Sequence, residues 1–128
     1  MDLDSEPDRL AILCAQIAGE KKARDILILD IERHLVITKY FVIASALNKK
    51  QLQAIADEIL KNLKKMGAKR FGLEGYGEGM WILIDYGDVI CQLFLEETRS
   101  YYDFDLLWGD APRLPWKDEP PMPKPAGG

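Results

Sequence analysis

The sequence predicts an α/β domain, a mixed β-sheet with helices packed on it, in the order α-β-β-α-β-β-β-α. Three observations carry this. DILILDI, residues 25–31, is short, almost continuously apolar and rich in isoleucine, as a strand covered on both faces would be. Residues 49–66 place Leu52, Ile55, Ala56, Ile59, Leu60, Leu63 and Met66 on one helical stripe. WILID (81–85) and DVICQLFL (88–95) flank Tyr86-Gly87, the pattern of two strands joined by a tight hairpin.

The remaining elements follow in chain order. Ser5 is placed as an N-cap, with Pro7 and acidic residues in the first turn of a helix. Leu10, Leu13, Cys14, Ile17 and Ala18 recur at helical spacing, and Gly19 ends the element. After the 25–31 strand comes a connection holding the single histidine, His34, and then the strand YFVIAS, residues 40–45. Asn48 and Gln51 have the spacing of a capping box for the long helix. Lys61, Lys64 and Lys65 suit its last turns, and Gly67 its left-handed terminus. A short strand is expected around Lys69 to Leu73, and a helix over EETRSYYDFDLLW, residues 96–108. Residues 1–111 read as one domain. Residues 112–128 hold six of the seven prolines and read as an extended or disordered tail.

Composition bounds the function. A chain of 128 residues with 48% hydrophobic residues buries a core without staples. Cys14 and Cys91 lie in apolar periodic segments and read as buried free thiols, which suits a reducing cytoplasm. The N-terminal MDLDSEPD lacks the basic and apolar regions of a signal peptide, and no apolar run reaches the roughly 20 residues of a membrane span. A net charge of −4 argues against a sequence-specific nucleic-acid binder and is compatible with a basic protein partner.

The stretch EGYGEGMWILIDYGD, residues 74–88, holds the sharpest ambiguity. Gly75, Gly77 and Gly79 imitate a phosphate loop, but such a loop needs a helix N-terminus after it, and here a strand follows. The glycines therefore read as a flexible or bulged strand connection. Asp85 and Asp88 flank a tight turn, where aspartate bonds nearby amides, and Glu96 and Glu97 suit a helix first turn. Asp30 and Glu32, two apart on a strand, share one face and could hold magnesium for nucleotidyl transfer. The serine- or threonine-containing turn that such enzymes carry upstream is missing, Gly19-Glu20 standing there instead. Metal-ligand spacings and G-x-S-x-G are absent from the sequence. Alternation puts Ile82 and Ile84 on the buried side of their strand, so Trp81 falls on the more exposed side as an interface candidate. Tyr86 at the turn and Phe94 on the next strand add aromatic character nearby.

These segments resemble the ribosomal silencing factors, the iojap-related family. The resemblance rests on EG…W-ILIDYGDVI…F…EETRSYY continuing to LLW, together with DILILDI, KYFVIAS and the helix opening at NKKQ, and spans about Asp25 to Trp108. It implies a nucleotidyltransferase-like α/β fold without catalytic activity and without a cofactor or metal. It implies binding to the large ribosomal subunit at ribosomal protein L-fourteen, steric blocking of small-subunit joining and repression of translation. It also permits a homodimer. By position it makes Trp81 and Tyr86 partner contacts, with Asp85, Asp88, Gln92, Phe94, Glu96 and Glu97 in the same surface, and matches Arg99 to the basic residue after the last strand. The chain departs from the family pattern in having Lys39 for an aspartate and Gln92 for a histidine, and Leu95 stands where a polar residue is common. A glutamine hydrogen-bonds but does not charge. The alternative from another class is a metal-dependent nucleotidyltransferase using Asp30 and Glu32. A third reading is a plain dimerisation module whose hairpin pairs with itself.

Overall fold

The computed structural model describes residues 3–32 and 37–117. A short 3-10 turn, Leu3–Ser5, leads into α1 (Pro7–Glu20). Then follow β1 (Arg24–Asp30), β2 (Tyr40–Ala46), α2 (Lys49–Lys65), β3 (Gly72–Glu74), β4 (Trp81–Asp85) and β5 (Val89–Leu95). Two short helices close the fold, α3 (Glu96–Tyr102) and α4 (Phe104–Leu107). The five strands form one mixed sheet in the order β1-β2-β5-β4-β3. Only β2 and β5 run parallel, joined by a crossover that contains α2; the other three pairs are antiparallel.

The two faces of the sheet are covered unequally. On one face α1 and α2 bury Val42, Ala44, Ile82, Ile84, Cys91 and Leu93 against their own Leu10, Leu13, Ile17, Leu52, Ile55, Ile59 and Leu63. Each valine, leucine and isoleucine among them contributes about 1.5–3 kcal/mol relative to exposure. A smaller cluster on the other face gathers Leu29, Ile31, Phe41, Ile43 and Phe94 under Phe104. It lies over β1, β2 and β5, and leaves the β4 side of that face half open: Leu83 and Asp85 are only partly buried there and Trp81 is exposed. Strand β2, second in the sheet, is buried along its whole length.

Local chemistry explains the element ends. Asn48 caps α2 by accepting from the Gln51 amide at 2.8 Å, and the Gln51 side chain accepts from Leu47 N at 2.9 Å. The reciprocal bond of this box therefore falls one residue before the cap. Gly67 ends α2 in the left-handed region, φ 81°. Asp85 accepts from Gly87 N at 2.8 Å and Tyr86 N donates to Val89 O at 2.9 Å, which closes the β4–β5 hairpin.

Four expectations are corrected. The N-cap of α1 is Glu6, not Ser5, and it makes no side-chain capping bond; Pro7 starts the helix because its missing N–H loses nothing there. Gly19 lies within α1, and Lys22 takes the left-handed turn after it, φ 66°. The 25–31 strand lies at a sheet edge, and both of its faces are covered as expected, Ile28 on the α1/α2 side and Leu29 on the other. The third correction is residues 112–117, expected in a disordered tail, which line the outer edge of this strand instead. Asp30 N donates to Pro112 O at 2.7 Å and Leu114 N to Ile28 O at 2.9 Å. Trp116 donates its indole N–H to Ile26 O at 3.2 Å. The tail beyond residue 117 and His34 lie outside the described residues. Finally, the single helix expected over 96–108 is two, broken at Asp103 in the left-handed conformation, φ 50°.

Candidate functional site: an aromatic surface on the half-open sheet

Pairing of β4 with β5 sets Trp81 opposite Phe94, Leu83 opposite Gln92 and Asp85 opposite Ile90, all on the half-open face. The Trp81 ring packs on Phe94 at 4.9 Å between centroids and on Tyr102 at 5.3 Å. Its indole N–H donates to Gln92 Oε1 at 3.1 Å. With 37% of its surface exposed, Trp81 is anchored on one side and presented on the other.

Helices α3 and α4 extend this surface. Phe104 is the root: it is buried against Phe94 (5.2 Å) and Phe41 (6.2 Å), with Trp108 packed on Phe41 at 5.3 Å. Arg99 is the clamp. Its guanidinium is buried and donates to the Asp25 carbonyl at 2.7 Å, to Ser45 Oγ at 2.8 Å and to Asp105 Oδ1 from two nitrogens at 3.1 and 3.2 Å. One side chain thus ties α3 to the start of β1, to β2 and to α4. The break at Asp103 lets Phe104 turn inward while Tyr101, Tyr102, Leu106 and Leu107 stay outside. Tyr101 stacks on Tyr102 at 5.0 Å, and Tyr101 and Leu106 are each 76% exposed. Exposed aromatic and aliphatic groups gathered in this way mark a binding surface.

The predicted site residues separate on this geometry. Trp81 and Glu97 are exposed, and Asp88 sits exposed at the turn. Asp85 is half-buried and spends its carboxylate on the turn. Glu96 pairs with Arg24 at 3.3 Å. Tyr86, expected as a contact at the hairpin tip, is a correction: it is buried in the α1/α2-side core, and burial pushes its hydroxyl well above the usual tyrosine range. It continues the parity of Ile82 and Ile84, so strand alternation already assigns it to the core face. Phe94 and Gln92 are likewise buried, Phe94 packed against the Trp81 ring and Gln92 accepting from its indole. Tyr101, Tyr102, Leu106, Leu107 and Met80 were missed as site residues. For the four on α3 and α4 the signal was an excess of apolar residues on helices too short to bury them all; Met80, in the loop before β4, gave none.

The glycine stretch forms a turn with defined contacts. Gly75 and Gly79 occupy left-handed conformations, and Gly79 N donates to Gly75 O at 3.0 Å. A side chain on Gly75 would collide with the Trp81 carbonyl. Tyr76 fastens the loop to α2: its carbonyl accepts from Gln53 Nε2 and its hydroxyl donates to Asp57, both at 2.8 Å. The Asp57 bond raises the Tyr76 pKa. The loop thereby fixes the backbone on which Trp81 enters the sheet.

The Asp30/Glu32 pair does not share a strand face. β1 ends at Asp30, whose carboxylate accepts from Glu32 N at 3.2 Å, and Glu32 lies in the turn beyond. Among the described residues no three His, Cys, Asp or Glu side chains come together as a metal site. No helix among the described residues is long and apolar enough to cross a membrane.

Comparison with known proteins gives one family. The family model described as ribosomal silencing factor during starvation matches residues 4–127. The chain is 41% identical over 100 residues to "Ribosomal silencing factor RsfS" of Bacillus subtilis, covering 78% of this chain and 85% of that protein. It is 31% identical over 124 residues to "Protein Iojap, chloroplastic" of Arabidopsis thaliana, covering 93% of this chain and half (50%) of that one. A crystal structure of a Chromobacterium violaceum protein superposes with a TM-score of 0.78 at 28% identity, covering 89% of this chain and 94% of the other. On a match that runs almost the length of the sequence, the chain belongs to the ribosomal silencing factor family.

Proposed function

We propose that this protein binds the large ribosomal subunit through the Trp81–Tyr102–Leu106–Leu107 surface, at ribosomal protein L-fourteen, and represses translation by occupying the face on which the small subunit would join. The observation that carries this reading is the surface itself: an anchored tryptophan packed on exposed tyrosines, with exposed leucines on the next helix, all held on the sheet by a buried arginine clamp. Tryptophan and tyrosine at the centre of an interface are the residue types that dominate binding energy. The work is steric, so catalysis, cofactor and metal have no part in it. A nucleotidyltransferase-like fold and a cytoplasmic setting belong to the same reading. The negative net charge (−4) assists encounter with a basic ribosomal protein.

The test is a subunit-joining assay with purified subunits. Added protein should lower the yield of joined ribosomes in proportion to its occupancy of the large subunit, with cross-links from the α3–α4 surface to a basic ribosomal protein. Undiminished joining at full occupancy would refute the blocking mechanism. A homodimer through the same surface is compatible with this reading and would compete with ribosome binding.

A further inference from the structure

A notch of about 430 Å³ opens where the loop before β4 meets α3. Trp81, Met80, Tyr101 and Tyr102 supply its apolar lining, and Glu78 and Glu97 supply its charge. No lysine or arginine lines it. Two neighbouring carboxylates are matched: Glu96 pairs with Arg24 and Asp105 with Arg99. Glu78 and Glu97 are both exposed, and neither has an ion-pair partner among the described residues. The notch therefore combines exposed aromatic faces with two carboxylates that make no ion pair among the described residues.

That combination selects its occupant by chemistry. A purely apolar side chain would leave two carboxylates beside it partly desolvated and unpaired. A phosphate, and so a nucleic-acid backbone, would be repelled by both. A cation on a long aliphatic stem satisfies every feature, because its stem covers Met80 and the rings while its head meets the carboxylates. Arginine fits better than lysine, since a planar guanidinium stacks on an aromatic face and forms paired bonds to a carboxylate. We propose that the notch seats an arginine side chain of a basic protein partner, stacked on the exposed face of Trp81 or Tyr102 and paired with Glu78 and Glu97. This rests on the ribosome-binding reading of the same surface and names the partner chemistry at one end of it.

The test uses the full chain and purified large ribosomal subunits. Binding is measured for the wild type, for Glu78→Gln/Glu97→Gln and for Leu106→Ala/Leu107→Ala, each at about 50 and 200 mM salt, a range over which exposed charges become screened. The glutamine pair should bind about five- to tenfold more weakly at low salt and lose most of the wild-type salt dependence. The alanine pair should bind more weakly with the salt dependence kept. Wild-type affinity and salt dependence in the glutamine pair, with binding lost in the alanine pair, would overturn the arginine seat and leave the ribosome reading standing. Tighter binding by the glutamine pair would overturn it in favour of a phosphate. Self-association of the wild type that the glutamine pair abolishes, with subunit binding unchanged, would overturn it in favour of a second copy. If the wild type fails to bind subunits, the ribosome reading falls and the notch is judged alone, by the Trp81 indole N–H resonance. Titration with N-acetyl-arginine amide should shift it and the neutral citrulline analogue should not; no shift with either overturns the proposal.

Discussion

Trp81 donates its indole N–H to Gln92 Oε1 at 3.1 Å, diagonally across the β4–β5 pair. The acceptor is buried, so this bond sets which part of the ring remains outside. Gln92→Leu should leave the indole N–H without its protein acceptor at a cost of about 1 kcal/mol in stability, measured by denaturant unfolding. Gln92→His should make ribosome binding pH-dependent. A neutral imidazole accepts from the indole, and a protonated one has no lone pair to offer, so affinity should fall as pH drops below about 6.5 while the wild type stays flat. Parallel profiles for the two proteins would show that the bond does not orient Trp81.

Arg99 predicts a separation of charge from geometry. Its donors reach three separate elements at once, and lysine cannot reproduce that fork. Arg99→Lys should lose about 2–3 kcal/mol in unfolding free energy, since hydrogen bonds to a charged group are the stronger kind. Hydrogen exchange should rise in α3 and α4 before it rises in α2, because those helices depend on the clamp. Uniform exchange across all helices would argue against it.

The two glycines Gly75 and Gly77 make an internal control. Gly75 has φ 78° and faces the Trp81 carbonyl, whereas a side chain on Gly77 would meet nothing within 4 Å. Gly75→Ala should destabilise by more than about 1 kcal/mol and Gly77→Ala should be close to neutral, read from thermal or denaturant midpoints. Equal effects would mean that the loop is free to rearrange.

Cys14 and Cys91 are buried free thiols. The hydrogen bond with Cys91, with burial added, raises the Cys14 pKa well above its usual value. Neither thiol should react with iodoacetamide at neutral pH until the chain unfolds. Burial also raises Tyr40, whose hydroxyl donates to Asp8 at 2.8 Å, and Tyr86. With folded-state values above the unfolded ones, the unfolded chain loses protons first on the alkaline side. Stability should therefore be constant up to about pH 8.5, where an unfolded thiol ionises, and fall further above about pH 10 with the tyrosines. Stability rising through that range would contradict the burial of these groups.

Much of this architecture was legible in the sequence because periodicity reports burial directly. Leu52 through Leu63 declared α2, and Ile82 and Ile84 declared the core face of β4, which placed Trp81 outside. The same parity extended by one step would have placed Tyr86 inside. The edge position of β1 was not legible: a strand covered on both faces carries the same apolar run at a sheet edge as inside one. Nor was the break at Asp103, since a left-handed aspartate leaves little local signature. Tyr101, Leu106 and Leu107 were legible as apolar residues but not as exposed ones. That depends on Arg99 and Phe104, whose partners are distant in the chain.

The most direct measurement is co-sedimentation of wild type and Trp81→Ala with purified large ribosomal subunits, with circular dichroism and unfolding midpoints confirming that the variant is folded. An anchoring tryptophan contributes at least about 2 kcal/mol, so the folded variant should bind roughly thirtyfold more weakly or not at all. A folded Trp81→Ala that co-sediments with wild-type affinity would remove Trp81 from the interface, and with it the proposed binding surface.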